Sequence, residues 1–253
     1  MIDLQPYLGV WLREAIVFRR LWLSTTFAAI VEPIVYLLAF GFGLGALISS
    51  INGYSYIEFV GTGSVATAVL FSSVFSGMFT TYVRRVDQRT YDGVLSTPVD
   101  VSELITAEAM WVALKAGVYG CAPLIVAMSF GLPPAWGMLA VPFIGILTGF
   151  GFASMGQWFS GIVPSIDSFN YVTSALITPL FLVAGTFFPI SGLPEWMQVI
   201  AQVNPLYHCV QLVRDACFGW QGWADLWHVA YLVAFGIIMN RLAVRQLRRR
   251  LIG

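Results

Sequence analysis

Residues 84–104 read RRVDQRTYDGVLSTPVDVSEL and carry seven of the 26 charged side chains in a chain of 253 residues. The flanking stretches 56–83 and 101–130 are almost entirely apolar. A bilayer core about 30 Å thick is crossed by roughly 20 apolar residues in a helix. Each flank is long enough to cross, so the charged stretch reads as the aqueous connection between two membrane spans.

Four more apolar runs, at 27–48, 136–163, 169–188 and 227–242, bring the expected number of transmembrane helices to six. Breaker and turn residues separate them at SSINGYS (49–55), GLPPAW (131–136) and VPSIDS (163–168), and a semi-polar segment fills 189–225. The composition agrees: 58% of residues are hydrophobic and 10% charged, with mean hydropathy +0.79, where a soluble domain is about a quarter charged. Lys and Arg together balance Asp and Glu, so no nucleic-acid partner is expected. Eleven of the thirteen basic residues fall before the first span, after the second or after the sixth. By the positive-inside rule both termini and the 84–104 connection face the cytoplasm.

The opening MIDLQPYLGVWLREAIVFRRLW carries charge through its apolar pattern, so it is not read as a cleaved signal segment. Leu4, Tyr7, Leu8, Trp11, Ala15, Phe18 and Trp22 recur at helical spacing, with Gln5, Arg13 and Arg20 on another face. That pattern predicts an interfacial amphipathic helix over residues 1–25.

Several chemistries lack their residues. Lys115, the single lysine, sits in MWVALKAGVYG without the glycine-rich cradle of a nucleotide-binding loop. His208 and His228 are too far apart for a zinc-hydrolase motif, and no metal site is expected. Cys121, Cys209 and Cys217 read as packing residues. The small residues of GTGSVATAVLFSS (61–73) read as a close helix contact. Ionisable groups within spans are costly and default to functional candidates. Glu32, Glu58, Glu103 and Glu108 lie near interfaces, whereas Lys115 is placed deep, either snorkelling or paired with Glu108 across two turns.

The chain resembles, over nearly its whole length, the membrane subunit of type-2 ATP-binding-cassette (ABC) exporters, and among these it is most similar to the nodulation-protein-J group. The resemblance rests on EPIVYLLAFGFGLG (32–45), YIEFVGTGSVATA (56–68), QRTYDGVLSTPVDVSELITAEAMWVALKA (88–116) and PLFLVAGTFFPISGLPEWMQVIAQVNPLYHCVQLVRDACFG (179–219), in the family's order. It implies one all-α domain over residues 1–253, with a coupling helix within 84–100 and an external re-entrant hairpin over 189–225. In the coupling region Arg84, Arg85 and Arg89 offer charge, Tyr91, Val94 and Leu95 an apolar face for an ATPase cleft, and Asp92 and Ser96 complete the set. Ser96-Thr97-Pro98 is read as the stop of that helix and Ser102 as the start of the next. Pro189, Pro194, Trp196, Asn204, Pro205 and Arg214 mark the hairpin. Trp196, Trp220, Trp223 and Trp227 mark the outer interface. Lys115, Glu108, Phe181 and Phe187 are expected along the substrate path.

The function so implied is that of a non-enzymatic permease in a bacterial cytoplasmic membrane. It would form a homodimer with two ATPase subunits that hold ATP and Mg, binding no cofactor itself. Its cargo would be an amphipathic lipid-linked or oligosaccharide-bearing molecule. A drug or antibiotic exporter of the same superfamily is the alternative. A polytopic lipid-modifying enzyme would need Asp, His or Arg clustered at one membrane face, which the linear sequence shows only in the coupling stretch. A proton-coupled transporter would call for an internal repeat, and none is evident.

Overall fold

A computed structural model describes residues 4–48, 50–51 and 53–252. Ten α-helices, six short 3-10 and π turns and one two-stranded ribbon account for most of them. Helix α1 is Gln5–Gly43, and after the antiparallel pair β1 (Ser50–Ile51) and β2 (Tyr54–Ser55) comes α2, Tyr56–Phe75. Two π-helical turns, Ser76–Thr80 and Val83–Asp87, extend α2 into a span of Tyr56–Asp87. The short α3 (Thr90–Leu95) leads to α4 (Val101–Ser129), and a 3-10 turn at Trp136–Ala140 opens α5 (Val141–Ile162). Helices α6 (Phe169–Val172) and α7 (Thr178–Val183), joined through a π turn, make the span Ile166–Val183. The chain closes with α8 (Glu195–Val203), α9 (Pro205–Phe218) and α10 (Trp223–Leu251).

Six helical segments are long and apolar enough to cross a membrane, and four of them begin and end within about five residues of the predicted runs. The other two differ. α1 runs unbroken from Gln5 to Gly43, so the expected interfacial helix over 1–25 is not a separate element; residues 1–3 of it lie outside the described ones. Ser24 and Thr25 look like punctuation, yet their hydroxyls donate back to the Leu21 carbonyl at 3.0 and 2.7 Å, leaving the helical ladder intact. Its aromatic face is also divided. Leu4, Leu8 and Trp22 are exposed, while Trp11 and Phe18 pack edge-on against Trp111 of α4. The sixth span continues as one helix through its arginines to Leu251.

Local chemistry explains where helices begin. Ser55 and Glu58 form a reciprocal cap on α2, and Asp100 and Glu103 one on α4. Asp100, not Ser102, is therefore the capping residue of α4, its Oδ1 accepting from the Ser102 backbone N–H at 2.8 Å. Glu58 and Glu103 are thereby explained as helix caps. The second span is the most enclosed, with 78% of its apolar stretch buried against 12% for the first and 17% for the sixth, so it forms the centre. The close helix contact read from GTGS is found at Gly61, where an added Cβ would lie 2.5 Å from Ala127 Cβ of α4, while Gly63 packs on the non-helical segment after α7, 2.5 Å from the Thr186 carbonyl oxygen. All three cysteines are free.

Candidate functional site

Four elements converge on one buried ionic cluster at the end of the bundle where α3 lies. Glu14 of α1 and Glu108 of α4 face Arg13 of α1 and Arg84 of the second π turn. Arg84 Nη1 donates to Glu108 Oε1 at 2.9 Å and its Nη2 to Glu14 Oε2 at 2.9 Å, and Nη1 also lies 2.6 Å from Glu14 Oε1. Arg13 Nη2 donates to both carboxylates. The remaining Glu108 oxygen accepts from the Tyr91 hydroxyl of α3. Burial, and then the Glu108 charge, push the Tyr91 phenol well above its ordinary pKa, so it stays a donor. Two guanidiniums thus neutralise two carboxylates with their hydrogen-bonding capacity nearly filled, the condition for tolerating buried charge.

This arrangement corrects three expectations. Glu108 pairs with arginines and not with Lys115. Arg84, only 12% exposed at its side chain, holds α1, α4 and its own span together and is not offered to a partner. The cluster of acidic and basic groups at this membrane face also extends beyond the coupling stretch, because the fold brings Arg13, Glu14 and Glu108 of α1 and α4 to Arg84. Glu14 was missed because it falls within an apolar-looking heptad of α1; only its spacing one turn before Phe18 could have placed it on the face toward α4.

The apolar face of α3 points inward. Tyr91 is 1% exposed, and with Val94 and Leu95 it packs on Val10, Val101, Leu104 and Leu247. Tyr91 is therefore not presented to an ATPase cleft as expected, whereas Val94 and Leu95 are half-buried and each lines a concavity at the surface. Asp87, Arg89, Asp92 and Ser96 are exposed. Arg89 alone among described non-glycine residues has positive φ, +50°, which makes the sharp corner between the π turn and α3. Ser96 and Thr97 bond back to the carbonyls of Gly93 and Val94, ending the helix before Pro98 as read from the sequence. Beside α3 a concavity of about 440 Å³ is lined by polar Asp92, Ser96 and Asp100 and by apolar Leu95, Val99 and Leu251 among others. Its rim is set by an Arg248–Asp100 ion pair at 2.6 Å. Hydrogen bonds from Ser102 hold the Asp100 carboxyl below its usual pKa. Arg85 is also structural: it donates to the Ser160 carbonyl at 2.7 Å, and Arg250 to that of Gly161 at 3.1 Å, placing cations at the C-terminus of α5.

Above the cluster, a cleft of about 530 Å³ lies between α1, α4 and the first π turn, with Phe18, Phe79, Trp111 and Lys115 in its wall. A second chamber of about 350 Å³ continues from it past Lys115 to Glu32, Phe71 and Tyr119. Phe181 and Phe187 are buried elsewhere, in an aromatic cluster with Tyr36, Phe40 and Phe71. The structure therefore separates the expected path residues, and Phe71, 5.2 Å from Phe181 between ring centroids, is their link.

At the other end α8 and α9 form the hairpin, broken at Asn204-Pro205 as the sequence indicates. Asn204 Oδ1 accepts from Leu206 N at 2.9 Å while its amide donates to the Leu180 carbonyl at 2.6 Å, tying the break to α7. Pro205 opens α9, Pro194 precedes α8, and Pro189 leads into a short 3-10 turn. Arg214 donates to the Gly185 carbonyl at 2.7 Å and lies 3.7 Å from the Phe59 ring centroid, so it is an internal anchor. Trp196, Trp220, Trp223 and Trp227 are all at least half exposed. One contact escaped the sequence reading: His208 and His228 meet through their Nδ1 atoms at 2.7 Å, joining α9 to α10. Twenty residues separate them, and no local spacing signals the pair.

Six crossings, a short polar helix folded back on the ends of three of them and a broken hairpin at the opposite end define a multi-pass membrane permease. Residues 7–218 match the family of ABC-2 type transporters, and the chain belongs to that family. It is 31% identical over 249 residues to nodulation protein J of Sinorhizobium fredii (strain NBRC 101917 / NGR234), covering 98% of this chain and 94% of that one. It is 32% identical over 247 residues to nodulation protein J of Rhizobium leguminosarum bv. trifolii, covering 97% and 94%. The inner membrane transport permease YadH of Escherichia coli (strain K12) is 23% identical over 235 residues, covering 91% and 88%.

Proposed function

We propose that this ABC-2 permease is the transport half of an ATP-driven exporter, acting as a homodimer with two separate ATPase subunits and carrying an amphipathic lipid-linked or oligosaccharide-bearing molecule outward. The observation that carries the reading is the build of α3. Its outer face is polar and open, and its inner face is locked by Tyr91 to Glu108, and so to α1 and α4. A push on α3 by a nucleotide-binding partner would reach the mouth of the cleft through two hydrogen-bonded steps. The cargo class follows from the likeness to nodulation protein J; export of a drug or antibiotic by the same machinery is the second reading. At the ionic cluster both carboxylates are engaged by guanidiniums, which leaves no free acid or base there for a membrane enzyme.

The chain alone is expected to hydrolyse no ATP. With a co-expressed ATPase subunit, turnover should appear, and Asp92→Arg or Ser96→Trp on the open face of α3 should abolish co-purification while leaving the permease folded. Full retention of the ATPase by both variants would overturn the docking assignment. The arginine distribution supports a cytoplasmic placement of α3 and both termini, and the likeness to the inner membrane permease YadH supports a bacterial inner membrane. In sealed cells, with the native cysteines removed, Gly192→Cys should react with an impermeant thiol reagent and Asp87→Cys should not. The opposite labelling would invert the topology.

A further inference from the structure

Lys115 stands at the midpoint of the 29-residue α4. Its four-carbon stem cannot carry the ammonium from there to either interface, so snorkelling does not explain it. Among the described residues it forms no ion pair; the Phe18 ring lies 5.9 Å from Nζ to the centroid, and Glu14 attracts it only through space. The nearby carboxylates are taken: Glu14 and Glu108 are both held by Arg13 and Arg84. Glu32 lines the far chamber and makes no ion pair with Lys115. Two more donors in the cleft wall lack acceptors, Arg13 Nη1 and Trp111 Nε1. Trp111 and Lys115 lie one turn apart on the same face of α4.

The wall therefore carries one surplus positive charge and two donors without acceptors, Arg13 Nη1 and Trp111 Nε1, against a single acceptor without a donor among the described residues, Gln157 Oε1. An unpaired ammonium at membrane depth is costly and marks a substrate or ion pathway, and an anionic group in the cleft would complete it. Lys115 also sits where the two chambers join, since it lines both, together with Thr25 and Ser76. Beyond it Ala29, Pro33, Ala68, Phe71 and Phe75 give the second chamber an apolar wall for hydrocarbon, interrupted by Ser24, Glu32, Ser72 and Tyr119.

We propose that the cleft seats an amphiphile bearing an anionic group (phosphate, sulfate or carboxylate) bound at Lys115, with its hydrocarbon in the adjoining chamber. This names the substrate class of the transport path and so rests on the exporter reading. Arg13 and Trp111 supply the secondary donors. An uncharged amphiphile would leave the ammonium unpaired and is selected against.

The test is titration calorimetry on the purified full-length chain in phosphatidylcholine nanodiscs, with dodecyl phosphate as the probe. Saturable binding is expected. Lys115→Met, which keeps the length and removes the charge, should weaken it by about tenfold or more. Lys115→Arg should stay within about threefold, because the charge is kept. Trp111→Phe, which keeps a ring and removes the N–H, should weaken it by a smaller factor. Inorganic phosphate should bind far more weakly than dodecyl phosphate. Unchanged affinity in Lys115→Met would overturn the proposal, as would inorganic phosphate binding as tightly as the alkyl ester, which would mark a site for a free anion. No ATPase subunit is present in this measurement. A failure here leaves the exporter reading standing, and a failure of ATPase co-purification leaves the binding result intact.

Discussion

Replacing Glu108 by leucine is expected to destabilise the permease by about 3–5 kcal/mol, the cost typical of stranding the partners of a buried ionic group. Glu108 Oε1 accepts from Arg84 and Arg13, and Oε2 from Tyr91. Without it Arg84 keeps only Glu14, the cluster carries a net positive charge, and the Tyr91 hydroxyl has lost its Glu108 acceptor. Removing Arg84 together with Glu108, as Arg84→Met with Glu108→Leu, leaves Arg13 and Glu14 as a balanced pair. The double variant should therefore be less destabilised than Glu108→Leu alone, with a coupling of about 0.5–3 kcal/mol. Unfolding by SDS titration in mixed micelles measures all three proteins. If the double variant loses as much as the sum of the two single ones, the four groups do not act as a unit, and the link from α3 to the cleft loses its physical basis.

The crossings were legible because a long apolar run has few alternatives, and charge placed the connection at 84–104 outside the hydrocarbon. The direction in which α3 faces was not legible. A six-residue helix with Tyr91, Val94 and Leu95 on one side fits an apolar partner cleft as well as an apolar patch on its own domain, and only the packing of Val10, Leu104 and Leu247 decides. The ionic cluster was hidden for a related reason. Arg13 and Glu14 are some 70 residues from Arg84 and 95 from Glu108, and each reads locally as an interface charge. The join of the interfacial segment to the first span was obscured by Leu-Ser-Thr-Thr (23–26), whose hydroxyls satisfy the helix instead of ending it. Asn204-Pro205, by contrast, was readable as a break because both residues act locally, one as cap and one as first helical residue.

The glycine seam between the extended second span and α5 should be at least as sensitive as the ionic cluster. A Cβ on Gly156 would lie 2.4 Å from the Val74 carbonyl oxygen and 2.9 Å from Met78 N, and one on Gly77 would lie 2.3 Å from the Ala153 carbonyl oxygen. These neighbours are backbone, so no side-chain rotation relieves the contact; the two helices must separate. They are the enclosed centre of the fold, with Phe152, Val74 and Met78 fully buried at the seam, and parting them opens gaps along the whole contact. In a membrane such close backbone approach is itself a main source of helix association. Gly156→Ala is expected to cost about 1–3 kcal/mol, the range for overpacking, and Gly156→Leu to prevent recovery of folded permease. Gly9 serves as the control, because it lies within α1 and nothing comes within 4 Å of its added Cβ. Gly9→Ala should be neutral or stabilise by about 0.5–1 kcal/mol through helix propensity alone. The measurement is the yield of monodisperse protein together with its SDS unfolding midpoint. A Gly156→Leu permease that is recovered in normal yield and unfolds at the wild-type midpoint would show that the second span and α5 do not meet along this seam.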